Sequence, residues 1–199
     1  MDELLKYFPD LSPRQREQFE AMGALYMEWN SKINVVSRKD IDQIYTRHIL
    51  HSLAVARCAK ISSGDRVADV GCGGGFPVIP LAVLMPDVHF TAIDSIGKKI
   101  RVVSEISSAL GLKNLTPINA RIESVEEDFD WIVSRAVTEL SRFVGWTWGK
   151  TRNGILYLKG GDLAQEIADS GKKVELYNLS DWYSEEFFET KQLLYLPKK

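Results

Sequence analysis

The segment Asp69-Val70-Gly71-Cys72-Gly73-Gly74-Gly75-Phe76-Pro77 sets four glycines between two apolar runs. Before it, Arg66-Val67-Ala68-Asp69-Val70 has the β-branched content of a short buried strand. After it, Val78-Ile79-Pro80-Leu81-Ala82-Val83-Leu84 is apolar enough to cover a sheet. Glycine tolerates positive φ and has no Cβ, which a sharp turn and a close ligand both require. The segment therefore reads as a strand-to-helix turn where a nucleotide-like ligand presses against bare backbone.

Spacing separates three readings of that turn. A phosphate-cradling loop needs Gly-Lys followed by Ser or Thr, and Phe76-Pro77 stands there instead. A dinucleotide fingerprint starts correctly at Gly71 and Gly73, but its third glycine, which lets the helix close on the strand, falls on Phe76. The pattern acidic-x-Gly-x-Gly-x-Gly is met in full by Asp69, Gly71, Gly73 and Gly75, and it resembles the first motif of S-adenosylmethionine-dependent methyltransferases. A second acid, Asp94, follows the strand-like His89–Ile93. In open α/β sheets an acid there can accept hydrogen bonds from a ribose diol. Aspartate is equally at home capping the next helix.

At 199 residues with 45% hydrophobic content, the chain suits one sizeable domain with a small appendage. Pro80, Pro86 and Asp87 interrupt the longest apolar run, which stays short of the roughly 18 to 20 residues a membrane span needs. Acids at Asp2 and Glu3 do not suit a signal peptide, so a cytoplasmic protein is expected. Cys58 and Cys72 have no metal-binding spacing and are expected as free thiols, with no metal. The net charge is −2, but between Ile96 and Arg121 the bases Lys98, Lys99, Arg101, Lys113 and Arg121 face only Glu105. Asp181, Glu185, Glu186 and Glu189 compensate further on. One face could meet phosphates while another repels them, or the bases could simply line a solvated helix.

Along the chain, Ser12-Pro13-Arg14-Gln15 has the form of a capping box. Phe19, Met22, Leu25, Tyr26 and Trp29 follow at helical spacing as a core-facing stripe, and a second helix is expected from Asp40 to Ala59. Strands are expected near Val67–Val70, His89–Ile93, Leu115–Ile118, Trp131–Ser134, Ile155–Lys159, Val174–Leu179 and Lys191–Leu196. Helices fill most of the gaps; Asp181 to Phe188 reads as a longer loop before a final antiparallel strand. The expected fold is α/β: a doubly wound, mostly parallel, seven-stranded Rossmann-like sheet with an N-terminal helical cap. Residues 1–60 form the cap, and 61–199 the S-adenosylmethionine-binding methyltransferase domain.

Six motifs occur in order: Trp29-Asn30-Ser31-Lys32-Ile33-Asn34, Arg47-His48-Ile49-Leu50-His51-Ser52, Asp69 through Leu81, Asp94-Ser95-Ile96-Gly97-Lys98-Lys99, Ser134-Arg135-Ala136 and Leu158-Lys159-Gly160-Gly161. Together they resemble the ribosomal small subunit methyltransferase G family, also called glucose-inhibited division protein B. The resemblance implies methyl transfer from S-adenosyl-L-methionine to guanine N7 in 16S ribosomal RNA, free or in the small-subunit particle; a monomer is expected. It implies cofactor contacts at Gly71, Phe76, Ile122, Glu123 and Arg135, to which the glycine turn adds Gly73 and the second acid Asp94. Glu123 also reads as a first-turn helix acid, and Arg135 as the partner of a cofactor carboxylate, of an RNA phosphate or of a structural acid. Substrate RNA is expected at Arg47, Lys98, Lys99 and Arg101, with Lys32, Arg38 and Lys39 beside them. The chain departs from the family pattern at His51, where an aspartate is usual, and at Val78, where glycine is usual.

Guanine N7 carries an in-plane lone pair, so no proton has to be removed before attack. No catalytic acid or base is therefore expected; His48 and His51 read as structural or RNA-contacting residues. Two alternatives remain: a methyltransferase for a small molecule or another RNA, and a non-catalytic, cofactor-binding, ribosome-associated module.

Overall fold

Strand-favouring stretches become strands at Arg66–Val70 (β1), His89–Asp94 (β2), Leu115–Asn119 (β3), Phe129–Arg135 (β4), Thr151–Gly160 (β5), Glu175–Asn178 (β6) and Lys191–Pro197 (β7). These elements come from a computed structural model that describes residues 1–37, 40–58 and 60–198. The seven strands form one sheet in the order β3-β2-β1-β4-β5-β7-β6. Neighbours from β3 to β5 run parallel, and β7 is antiparallel to both β5 and β6, as expected of the last strand.

Parallel neighbours need crossovers, and helices supply them at Val78–Leu84 (β1 to β2), Gly97–Ala109 (β2 to β3) and Leu140–Thr147 (β4 to β5). The chain runs outward from β1 to β3, then returns to lay β4 on the other side of β1. That reversal makes a crevice at the carboxyl ends of β1 and β4, the usual ligand position in such sheets. The strand period of two divides the core: Val67, Val133 and Leu156 face one buried cluster, Ala68, Ile132 and Ile155 the other.

The N-terminal helices complete the first cluster. Helix Pro13–Lys32 begins with the expected capping box: Ser12 Oγ accepts from Gln15 N at 3.3 Å, and Gln15 Oε1 accepts from Ser12 N at 2.9 Å. Gln15 Nε2 also donates to the carbonyls of Val83 and Leu84, and Gln18 Nε2 to that of Leu110. Two side chains of this helix thus satisfy the open carbonyl ends of the two helices beneath it. Phe19, Met22 and Tyr26 are fully buried, while Leu25 and Trp29 are partly so.

The expected helix from Asp40 to Ala59 forms as three pieces: a 3-10 turn at Ile41–Gln43, a π-helix at Tyr45–Leu50 and an α-helix at His51–Arg57. Ile44 and Ile49 lie five residues apart and are both buried. An α-helix would splay that spacing to different faces, whereas the wider π turn keeps both inward. Ala59 lies outside the described residues. The loop expected from Asp181 to Phe188 is bounded by 3-10 turns at Leu179–Asp181 and Glu186–Thr190, with Tyr183 and Phe188 buried. β5 starts four residues earlier than expected; Asn153 and Gly154 are poor strand formers, but pairing of Thr151 with Phe129 and of Gly154 with Pro197 holds them in the sheet.

Candidate functional site

Beyond β1 the chain turns sharply. The N–H groups of Gly71 and Cys72 both donate to Ile93 O, at 2.8 and 3.1 Å, fastening the turn to the end of β2. Gly71 has φ +74°, and a Cβ there would lie 2.6 Å from Val137 Cγ2. Gly75 has φ +104°, and a Cβ there would lie 2.5 Å from Ile79 Cδ1. Both positions need glycine for conformation and for space. Asp69, the first acid of the motif, braces the turn from below: Oδ2 accepts from Val78 N at 3.1 Å, where the next helix begins. Burial pushes the Asp69 carboxyl up to about 8, against the opposing pull of the Val78 N–H and of Arg135. Val78 is wholly buried.

Asp94 binds backbone on both sides. Oδ1 accepts from Ile96 N at 2.8 Å at the start of the following helix, and Oδ2 accepts from Gly73 N at 2.9 Å across the turn. Above these contacts opens a cavity of about 580 Å³ at the carboxyl end of the sheet. It gathers Gly71, Gly73, Phe76, Asp94, Ile122, Glu123 and Arg135, all seven positions expected at the cofactor. Ile122 is buried and Glu123 exposed on a single 3-10 turn after β3.

Arg135 leaves the end of β4 into this cavity. Its Nη2 donates to His48 Nδ1 at 3.0 Å and its Nη1 to the carbonyl of Arg47 at 3.4 Å, while the guanidinium lies 5.2 Å from the Phe76 ring centre. It forms no salt bridge among the described residues. Burial lowers its pKa to about 10, with Asp69 pulling the other way, so the group is cationic at neutral pH. Burial, and then the charge of Arg135, lower that of His48 to about 3.

Sequence reasoning assigned no site role to several residues that build this wall. Tyr26, read only as core, donates to Gly74 O at 2.7 Å and stacks on Phe76 with ring centres 4.4 Å apart. Val35 lines the cavity, its backbone held where Asn30 Oδ1 accepts from Val35 N and Val36 N. The motif around Asn30 carried that signal. Arg142 and Trp146 close another side, with no signal beyond an amphipathic helix.

The expected RNA contacts are spread more widely. Lys99 lines the cavity, whereas Lys98 and Arg101 are exposed on the outer face of the same helix. Arg47 turns away: it is paired with Asp40 at 2.5 Å and with Gln43 at 2.6 Å and lines a second cavity of about 690 Å³ beside Phe187. His51 is buried, edge-on to Phe187. Arg38 and Lys39 lie outside the described residues. Among the described residues no group of three or more His, Cys, Asp or Glu side chains could hold a metal ion, and no helix is long and apolar enough to cross a membrane.

A family model described as rRNA small subunit methyltransferase G matches residues 15–194. The ribosomal RNA small subunit methyltransferase G of Flavobacterium psychrophilum is 53% identical over 207 aligned positions, covering 100% of this chain and 99% of that one. The corresponding protein of Christiangramia forsetii is 50% identical, covering 98% and 96%. Among solved structures, a SAM dependent methyltransferase from Aquifex aeolicus superposes with a TM-score of 0.60 at 16% identity, covering 81% of this chain and 98% of its own. At that identity the likeness speaks for the fold alone.

Proposed function

The chain belongs to the rRNA small subunit methyltransferase G family, and from that premise we propose how its residues serve S-adenosylmethionine-dependent methylation of guanine N7 in 16S ribosomal RNA. The observation that carries the reading is Arg135, a cation in the cavity wall held by two neutral acceptors and, among the described residues, by no carboxylate. The cavity suits a ligand with an anionic end, a diol and an apolar ring system. Arg135 would take the methionine carboxylate through its free donors. Gly71 and Gly73 admit close approach of the cofactor to backbone, and Phe76 closes the pocket beside them. Asp94 would accept from the ribose, having lone pairs left after its bonds to Gly73 and Ile96. Ile122 and Glu123 would frame the adenine.

Bound cofactor supplies an electrophilic methyl group on a sulfonium. The chain's part is to align and enclose, because guanine N7 presents its lone pair without prior loss of a proton. No side chain here is placed as a general base. His48 already spends its Nδ1 lone pair on Arg135, and His51 is buried among aromatic rings. Lys98, Lys99 and Arg101, on one helix beside the cavity, would hold RNA phosphates. The acids between β6 and β7 lie at the opposite edge of the sheet from β3, away from that basic helix. We place the protein as a monomer in the cytoplasm, with residues 1–60 as a helical cap over the methyltransferase sheet of 61–199.

Calorimetric titration tests the carboxylate assignment. S-adenosylmethionine should bind Arg135→Ala far more weakly than the wild type, while 5′-deoxy-5′-methylthioadenosine, which keeps the adenosine but lacks the amino-acid end, should bind both alike. Equal S-adenosylmethionine affinity in the two proteins would remove Arg135 from the cofactor site.

A further inference from the structure

The geometry points to His48 as a positioning residue: its neutral imidazole fixes the Arg135 guanidinium in the cavity wall without cancelling the charge that an incoming anion needs. The inference rests on the reading of Arg135 as an anion receptor. A guanidinium has donors and no acceptor, so the 3.0 Å contact with Nδ1 requires the lone pair there and places the imidazole proton on Nε2. The carbonyl of Arg47, one residue earlier, supplies the second neutral acceptor. The more usual partner for a half-buried arginine is a carboxylate, which would compete with any anion entering the cavity. The π-helix carrying both acceptors thus orients the cation without a carboxylate salt bridge among the described residues.

The ring of His48 is itself fixed. It lies 5.0 Å from the Phe76 ring centre, and Phe76 is backed by Tyr26 at 4.4 Å. Arg135 packs over the same phenylalanine. His48, Phe76 and Arg135 therefore form one packed unit between the N-terminal helices and the end of β4. His48 Nε2 is buried and has no hydrogen-bond partner among the described residues. A buried donor without a partner works against stability, so the advantage of histidine at this position lies in the acceptor on its other nitrogen.

His48→Asn and His48→Asp separate a positioning role from a packing role, because the two replacements are nearly the same shape. Asparagine Oδ1 offers a neutral acceptor close to where Nδ1 stands; aspartate offers a charged one. Expected is that His48→Asn binds S-adenosylmethionine within about threefold of wild type, while His48→Asp loses about ten- to a hundredfold, the size of one charge-assisted contact. Binding of 5′-deoxy-5′-methylthioadenosine should be equal in all three, which also shows that each variant is folded. If the Asp-specific loss appears instead in the KM for ribosomal RNA, the anion held is an RNA phosphate and the role of His48 stands. If Asn and Asp behave alike in both assays while Arg135→Ala still weakens binding, His48 only fills space and the inference is overturned. No effect of Arg135→Ala in either assay would instead sink the reading on which it rests.

Discussion

The hydroxyl of Tyr26 donates a 2.7 Å hydrogen bond to the carbonyl of Gly74, joining a helix of the N-terminal segment to a glycine turn 48 residues further along. Tyr26 is fully buried, so neither partner has water as an alternative. Tyr26→Phe keeps the stacking on Phe76 and strands the Gly74 carbonyl. It should cost about 1–3 kcal/mol in urea unfolding and weaken S-adenosylmethionine binding. Unchanged stability would mean that the turn does not depend on the helix.

Gly71→Ala brings a methyl group to within 2.6 Å of Val137 Cγ2 at a positive φ. The handedness cost alone is about 1–2 kcal/mol, and the clash adds to it. Gly71→Ala combined with Val137→Ala should recover part of the lost stability and not all of it, as read by thermal midpoints. Full recovery would show that the backbone conformation carries no cost.

The raised pKa of Asp69 sets a pH dependence of the ligand-free protein. Its folded value of about 8 lies above the unfolded value of about 4, so the folded state holds the extra proton in between. The stabilisation is complete below the unfolded value and is lost as pH climbs through the folded one. Asp69→Asn keeps an acceptor for Val78 N and removes the titration. Its urea midpoint should fall less from pH 5 to pH 8 than that of the wild type; identical slopes would contradict the assignment.

The buried imidazoles act on the acid side with the opposite sign. His48 has a folded pKa of about 3, and burial also holds His51 well below the usual histidine value. Unfolding lets both take up protons below about pH 6.5. Their stabilisation is therefore complete above that value and drains away as pH falls toward the folded ones. His48→Leu should halve the proton uptake on unfolding near pH 5 that belongs to the pair, measurable from the pH slope of the unfolding free energy.

Charge reversal on the helix Gly97–Ala109 separates RNA binding from cofactor binding. Lys98→Glu with Arg101→Glu should leave S-adenosylmethionine affinity unchanged, because both side chains point away from the cavity lining. RNA affinity should drop, and the slope of log K against log salt should shrink by about 0.7 to 0.9 for each phosphate contact removed. An unaltered slope would move the RNA to another face.

The strands and the glycine turn were legible in the sequence because central parallel strands are continuous apolar runs and because the turn needs a residue type that few other positions require. The central strands β1, β2, β4 and β5 are recognisable in that way, and so are the cavity positions that follow strand ends. What the sequence hid depends on distant contacts. The π turn at Tyr45–Leu50 exists because Ile44 and Ile49 share a core with the sheet, which no local period announces. Tyr26 looked like any other member of an apolar stripe, since its hydroxyl finds its partner only once the helix has docked. Arg47 carried a charge that suited RNA, but Asp40 and Gln43, seven and four residues away, draw its guanidinium aside.

The most direct test is transfer of labelled methyl from S-adenosylmethionine to unmethylated small-subunit ribosomal RNA, offered free and as assembled particles, with the modified base mapped. Label at N7 of one guanine, abolished or strongly reduced in Arg135→Ala, is the expected result, and the preferred form of the RNA identifies the physiological substrate. Tight cofactor binding with no label in either form, or label at another atom, would contradict guanine-N7 methylation by this site.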